Sequence, residues 1–134
     1  MNIPSYRSEA RVIYAETDAM GIVYYANYLR WFEIGRTELM RSMGIAYKEL
    51  EDQGVYLPAS EVFCKYHASA EYDDVIIIET SVELLKRASI RFAYRLSRKE
   101  DGAELVTGWT LHAFVDREMR IVRVPASLKE KLQF

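Results

Sequence analysis

The chain holds one cysteine, two histidines and three prolines, and neither sign of charge dominates it. A lone thiol, Cys64, cannot close a disulfide within the chain. That points to a reducing compartment, and a cytoplasmic location is expected. Two histidines and one cysteine cannot by themselves supply a zinc-ligand set. The formal net charge is -2, so nonspecific nucleic-acid binding through phosphate neutralisation is not expected. No uncharged apolar run approaches the ~20 residues that span a bilayer. Residues 1–7 lack the apolar core of a signal peptide. Zinc-protease, paired-cysteine, serine-elbow, dinucleotide-binding and P-loop motifs are all missing. Metal, nucleotide-phosphate and serine-triad chemistry therefore lack support, and no metal or cofactor is expected.

What is present suits one compact domain over residues 1–134. Half the chain is hydrophobic and 28% is charged, enough for a real core beneath a soluble surface. Residues 9–17 read as a strand, with Ala10, Val12 and Tyr14 on one face. A turn over residues 18–21 ends it. Residues 28–43 read as a helix, because Tyr28, Phe32, Gly35, Leu39 and Met43 form a stripe at helical spacing. Asn27 is the expected N-cap and Gly44 the residue just past the end. Gly35 inside the helix costs about 1 kcal/mol relative to Ala, a cost that close approach to a sheet would offset. A short helical turn is expected over residues 47–52.

From there the chain is strand-like: residues 55–67, 75–85, 89–98 and 103–116. Ile90, Phe92, Tyr94 and Leu96 face inward on the third of these. Leu105, Trp109, Leu111, Ala113 and Val115 share a face on the fourth. Residues 119–124 could extend the sheet, and 125–132 read as a terminal helix or turn. Short turns between late strands imply antiparallel pairing. One helix covers only one sheet face, so sheets of different copies are expected to meet in an oligomer.

The segment Asp18-Ala19-Met20-Gly21-Ile22-Val23-Tyr24-Tyr25-Ala26-Asn27-Tyr28 carries the chemistry. It sets a carboxylate and a glycine turn before an aromatic helix start. A helix start offers unpaired N–H groups and a positive dipole end. Acid plus oxyanion donors is what hydrolysis of an activated acyl group requires. On residue types alone, Asp18 and Gly21 read first as making only a turn. Cys64 and His67 are three apart on a strand and point to opposite faces, which argues against a thiol–imidazole pair. His112 reads as a satisfied strand histidine. Asp73-Asp74 reads as turn chemistry, and Glu33 as a helix-face partner of Arg30 or Arg36. Lys86-Arg87 is either a solvated turn or a phosphate binder.

Residues 14–41 closely resemble the hotdog-superfamily acyl-CoA thioesterases of the 4-hydroxybenzoyl-CoA thioesterase and YbgC-like type. The matching residues are Thr17 to Tyr25, then Asn27-Tyr28, Trp31-Phe32-Glu33 and Arg36. The likeness continues through Leu57-Pro58, Tyr72-Asp73-Asp74, Thr80, Arg87-Ala88-Ser89, Phe92 and Tyr94. The resemblance implies an α+β hotdog fold, a long central helix wrapped by an antiparallel five-stranded sheet in the order β-α-β-β-β-β.

The resemblance also implies that Asp18 is the catalytic carboxylate, nucleophile or general base, and that the Tyr25 backbone N–H polarises the thioester carbonyl. Gly21, Ile22, Val23 and Tyr24 would bind substrate between them. Lys86 and Arg87 would grip the nucleotide end of coenzyme A, which is part of the substrate rather than a cofactor. The family further implies a homo-oligomer, a tetramer built from two dimers. Acyl carrier protein is an alternative carrier of the acyl group. Many YbgC-like members carry His where this chain has Tyr25, so an acid–base imidazole is missing there. Two other activities share the fold: binding of acyl carriers without turnover, and hydration or dehydration, which normally pairs an acid with a nearby His.

Overall fold

A computed structural model of the chain describes residues 3–132. Met1 and Asn2, part of the N-terminal segment read above, lie outside the described residues, as do residues 133 and 134. The elements run β1 (Ser5–Arg11), a single 3-10 turn (Tyr14–Glu16), α1 (Asn27–Ser42), α2 (Tyr47–Asp52), β2 (Ala59–Tyr66), β3 (Val75–Leu85), β4 (Ser89–Arg98), β5 (Glu104–Ala113) and α3 (Ala126–Leu132). The strands form one antiparallel sheet in the order β1-β3-β4-β5-β2. This is the hotdog arrangement: α1 lies along the sheet, and its Tyr28, Trp31, Phe32, Leu39 and Met40 are buried in the core.

Gly35 sits where the stripe predicts, against the sheet. A Cβ there would overlap the Thr80 Oγ1 and come within 2.8 Å of the Ile78 Cγ2 on β3. The absent side chain is what lets the helix approach so closely. Gly108 of β5 does the same for a ring: a Cβ there would stand 2.9 Å from Phe32 Cζ. Phe32 in turn stacks on Tyr94 at 4.1 Å.

Several boundaries differ from the sequence reading, and the first strand begins at Ser5 rather than at residue 9. The first strand ends at Arg11, and Tyr14–Glu16 coils into the 3-10 turn, because the Glu16 carboxylate accepts the Ile13 N–H at 2.8 Å. Tyr14 is consequently exposed rather than on a buried face. Residues 55–58 and 114–116 lie outside the regular strands, and β2 and β5 are shorter than expected. Residues 119–124 add no strand; Ile121 makes only an isolated bridge to Val115.

The inward face of β5 is not the one that Trp109, Leu111 and Ala113 share. Ile90, Phe92, Tyr94 and Leu96 pair with His112, Thr110, Gly108 and Val106. Cross-strand partners share a face, so these four, not Trp109, Leu111 and Ala113, look toward α1. Trp109 lies on the outer face, stacked on Phe63 at 6.0 Å with the Arg91 guanidinium 3.9 Å from the ring centroid. Apolar pattern misleads here because the buried polar groups are mutually satisfied. The hydroxyls of Tyr94 and Thr110 are 2.6 Å apart, His112 Nε2 is 2.8 Å from the Thr110 oxygen, and His112 Nδ1 is 3.0 Å from the Leu57 carbonyl.

Candidate active site

The turn carrying Asp18 is fixed by Glu16. Its carboxylate is buried and pairs with Arg30 on α1 at 3.0 Å. Its carbonyl accepts the Tyr24 N–H at 2.9 Å and the Asn27 side-chain N–H at 2.8 Å. Between those anchors the chain makes a tight loop. Asp18 N–H donates to the Ile22 carbonyl at 2.9 Å, and Gly21 N–H to the Asp18 carbonyl at 3.0 Å. Gly21 takes φ +81°, a conformation open to glycine at little cost. The Asp18 Oδ1 accepts the Met20 N–H at 2.8 Å. Asp18 thus makes the turn, and its Oδ2 has no hydrogen-bond partner among the described residues.

The helix start differs from the expected cap. Asn27 is the first helical residue, and its amide is spent on the Glu16 carbonyl. Ala26 takes the capping position and has no side-chain oxygen to offer. Among the described residues, the Tyr25 N–H donates to no acceptor. It is an unpaired donor one residue before the N-cap of a sixteen-residue helix, beside that helix's positive end.

Beside it lies an open cleft of about 260 Å³, lined by Ile22, Val23, Tyr25, Tyr28, Tyr66, His67, Ala68 and Ser69. Gly21 and Tyr24 are exposed and do not line it; the Tyr24 ring leans on Tyr25 at 4.7 Å. The Tyr66 hydroxyl donates to the Tyr25 carbonyl at 2.9 Å. Burial, with the neighbouring Cys64, pushes the Tyr66 phenol up, so it remains a donor. The Tyr28 hydroxyl accepts the Ala70 N–H at 3.0 Å.

Sequence reasoning missed the end of β2 as a wall of this site. Residues 66–69 are some forty positions from Tyr25, and only strand pairing brings them there. His67 Nε2 is 2.8 Å from the Thr107 hydroxyl and 3.4 Å from Glu104 Oε1. Arg95, at 2.8 Å, holds the Glu104 carboxyl below its usual range.

Lys86 and Arg87 lie elsewhere. They occupy the β3–β4 turn and line a groove of about 660 Å³ with Arg123, Lys129, Leu84 and Leu132. Arg123 and Lys129 were not singled out by the sequence. The Asp18 turn adjoins the other end of β3, through the Ile22–Glu71 bridge and the Arg11–Val75 pair. An eleven-residue strand at about 3.3 Å per residue separates the two regions by roughly 30 Å. One chain does not bring them together.

The remaining candidates resolve as structure. Cys64 is half-buried and its thiol is pushed up by burial; it forms no pair with His67. Asp74 accepts the Glu71 N–H at 2.8 Å and pairs with Arg98 at 3.1 Å, while Asp73 pairs with Arg11 at 3.2 Å. Glu33 stands 3.8 Å from Arg36, whereas Arg30 turns to Glu16 instead. His112 is buried, and burial pushes its imidazole down to about 4.

Residues 12–132 match the model of the thioesterase-like superfamily. The chain is 32% identical over 101 residues to the acyl-CoA thioester hydrolase YbgC of Escherichia coli O157:H7, covering 75% of each protein. It is 39% identical over 89 residues to the acyl-CoA thioesterase YbgC of Haemophilus influenzae, covering 66% of this chain and 65% of that one. Among solved structures, 4-hydroxybenzoyl-CoA thioesterase from Pseudomonas sp. strain CBS-3 superposes with a TM-score of 0.85 at 26% identity, covering 96% of this chain and 99% of that one.

Proposed function

The chain belongs to the thioesterase-like superfamily, and from that premise we propose that it is a thioester hydrolase releasing a free acid and coenzyme A from an acyl-CoA. The observation that carries this reading is the unpartnered Tyr25 N–H at the start of α1, tied through Glu16 to the turn that holds Asp18. A thioester carbonyl placed against that N–H would find a donor already oriented for the charge that develops on its oxygen. An aspartate, ionised at neutral pH, either attacks the carbonyl carbon or takes the proton of the attacking water. The Oδ2 of Asp18 is free for that role while Oδ1 holds the turn. The rigid anchoring by Glu16 and Arg30 supports it, since a misplaced carboxylate loses much of its effect.

We further place the working enzyme in a homo-oligomer, a tetramer by family likeness, in the cytoplasm. Two features support more than one chain. The edge strand β2 leaves Val62, Phe63 and Tyr66 exposed. The basic groove lies too far from Asp18 of its own chain to hold the same ligand at both ends. Lys86 and Arg87 would then grip coenzyme A bound at the Asp18 of another chain.

Steady-state release of free thiol from a panel of acyl-CoAs and acyl carrier protein thioesters tests the function. Turnover supports it and ranks the carriers. Tight binding without thiol release would instead identify a carrier-binding protein. Hydration of an enoyl thioester without thiol release would identify a hydratase.

A further inference from the structure

His67 belongs to the site, although no motif marks it. The end of β2 brings its imidazole into the cleft that Tyr25 lines. The groups around it are set out as for a proton-transfer residue. From β5, the Thr107 hydroxyl at 2.8 Å and the Glu104 carboxylate at 3.4 Å engage Nε2. From β4, Arg95 fixes that carboxylate at 2.8 Å, and Glu79 of β3 lies on the far side of Arg95 at 3.2 Å. From the helix start, Tyr25 and Tyr28 share the cleft, and on β2 itself Lys65 and Tyr66 precede the ring. A carboxylate and a hydroxyl held against one ring nitrogen orient the ring. Nδ1 has no partner among the described residues and is the nitrogen free to exchange a proton with a molecule in the cleft.

We propose that His67 is the acid of the thioester reaction, protonating the sulfur as the carbon–sulfur bond breaks. The inference rests on the hydrolase reading above. Water adds its oxygen to the carbonyl carbon and gives a proton to Asp18. The sulfur departs with the bonding pair and takes the Nδ1 proton of the His67 imidazolium. Asp18 loses its proton and His67 regains one through solvent. The net change is water and thioester to carboxylate, a proton and free thiol.

The test compares two leaving groups on one acyl group: coenzyme A, and a thiophenol whose thiolate leaves readily without a proton. For His67→Gln, kcat on the CoA thioester should fall about a hundredfold, at the low end for general acid catalysis. On the thiophenyl ester the fall should shrink to a few-fold. Glu104→Gln is the second variant, since it keeps the ring but removes the carboxylate that engages Nε2. It should lower kcat on the CoA thioester severalfold, leave KM little changed and spare the thiophenyl ester. Equal losses on both esters in both variants would overturn the proposal and leave the hydrolase reading standing. A wild-type protein that cleaves neither ester would overturn both.

Discussion

Two polar clusters in this molecule are built on opposite plans. One is the chain Tyr94–Thr110–His112–Leu57 beneath α1, where successive groups are linked by bonds of 2.6–3.0 Å and the histidine is buried. The other is the Asp18–Tyr25 loop, where a carboxylate oxygen and a backbone N–H are left open beside a cleft. The first is dry and contributes to stability. The second lies at the surface and leaves hydrogen-bonding capacity unpaired among the described residues. A buried polar group without a partner would cost about 1–3 kcal/mol, so satisfaction is required in the first and dispensable in the second. A residue's partners therefore say more about its role than its identity does. Three strand-borne or turn-borne polar residues that look alike in sequence, Asp18, His67 and His112, separate on this criterion.

The sharpest way to test the contrast is Asp18→Asn. It should lower kcat by about 10²–10⁴-fold, with the urea midpoint unchanged, because Oδ1 can still accept the Met20 N–H. Thiol release and chemical denaturation of the same sample read both halves. A folded variant with wild-type turnover would remove Asp18 from the chemistry.

His112 should show the inverse. Its imidazole is pushed from an ordinary 6.5 to about 4 by burial. The unfolded chain therefore binds a proton that the folded one refuses, and stability is complete above about pH 6.5 and declines as pH falls toward 4. The full difference is about 3 kcal/mol. Denaturation midpoints across that window should fall with pH in the wild type and flatten in His112→Gln. Thr110→Val comes next. It removes the hydroxyl shared by Tyr94 and His112 and should cost about 1–3 kcal/mol of stability, with kcat on the same acyl-CoA within about twofold of wild type. A loss of turnover without a loss of stability would merge the two clusters.

The smallest effect belongs to the groove. Lys86→Ala with Arg87→Ala should raise KM about tenfold with little change in kcat, since remote phosphate binding is uniform between ground and transition states. Salt should shrink the difference. Mixed oligomers of this variant with Asp18→Asn should exceed the average of the two parents if the elements meet across chains. Strict averaging would separate the groove from the site.

Much of the fold is readable along the chain because its cues are local. The stripe from Tyr28 to Met43 marks α1, the alternation at Ile90, Phe92, Tyr94 and Leu96 orients β4, and the boundaries of β3, β4 and α2 fall where periodicity puts them. Gly35 announces its close approach to the sheet because a glycine inside a helix needs a reason. The first strand is misread because Glu16 curls the backbone through a side-chain bond to Ile13. Hydrophobic alternation carries no record of such a bond. β5 is misread for a related reason. His112 is satisfied as read, but that it and Thr110 face α1 emerges only when Tyr94 and Leu57 supply partners from distant segments.

By itself, then, the sequence determined the carboxylate, the glycine turn and the helix start that follows it, since residues within one loop dictate each other's backbone. It also determined the family. The tertiary structure alone decided what stands around that loop. It set Tyr66 and His67 against Tyr25, it turned the Asn27 amide to the Glu16 carbonyl, and it added Arg123 and Lys129 to Lys86 and Arg87 at the opposite end of β3. Those neighbours are set by strand register and packing between segments far apart in the chain. A register carries no local signature, because any strand pairs by the same backbone bonds whichever side chains it brings across.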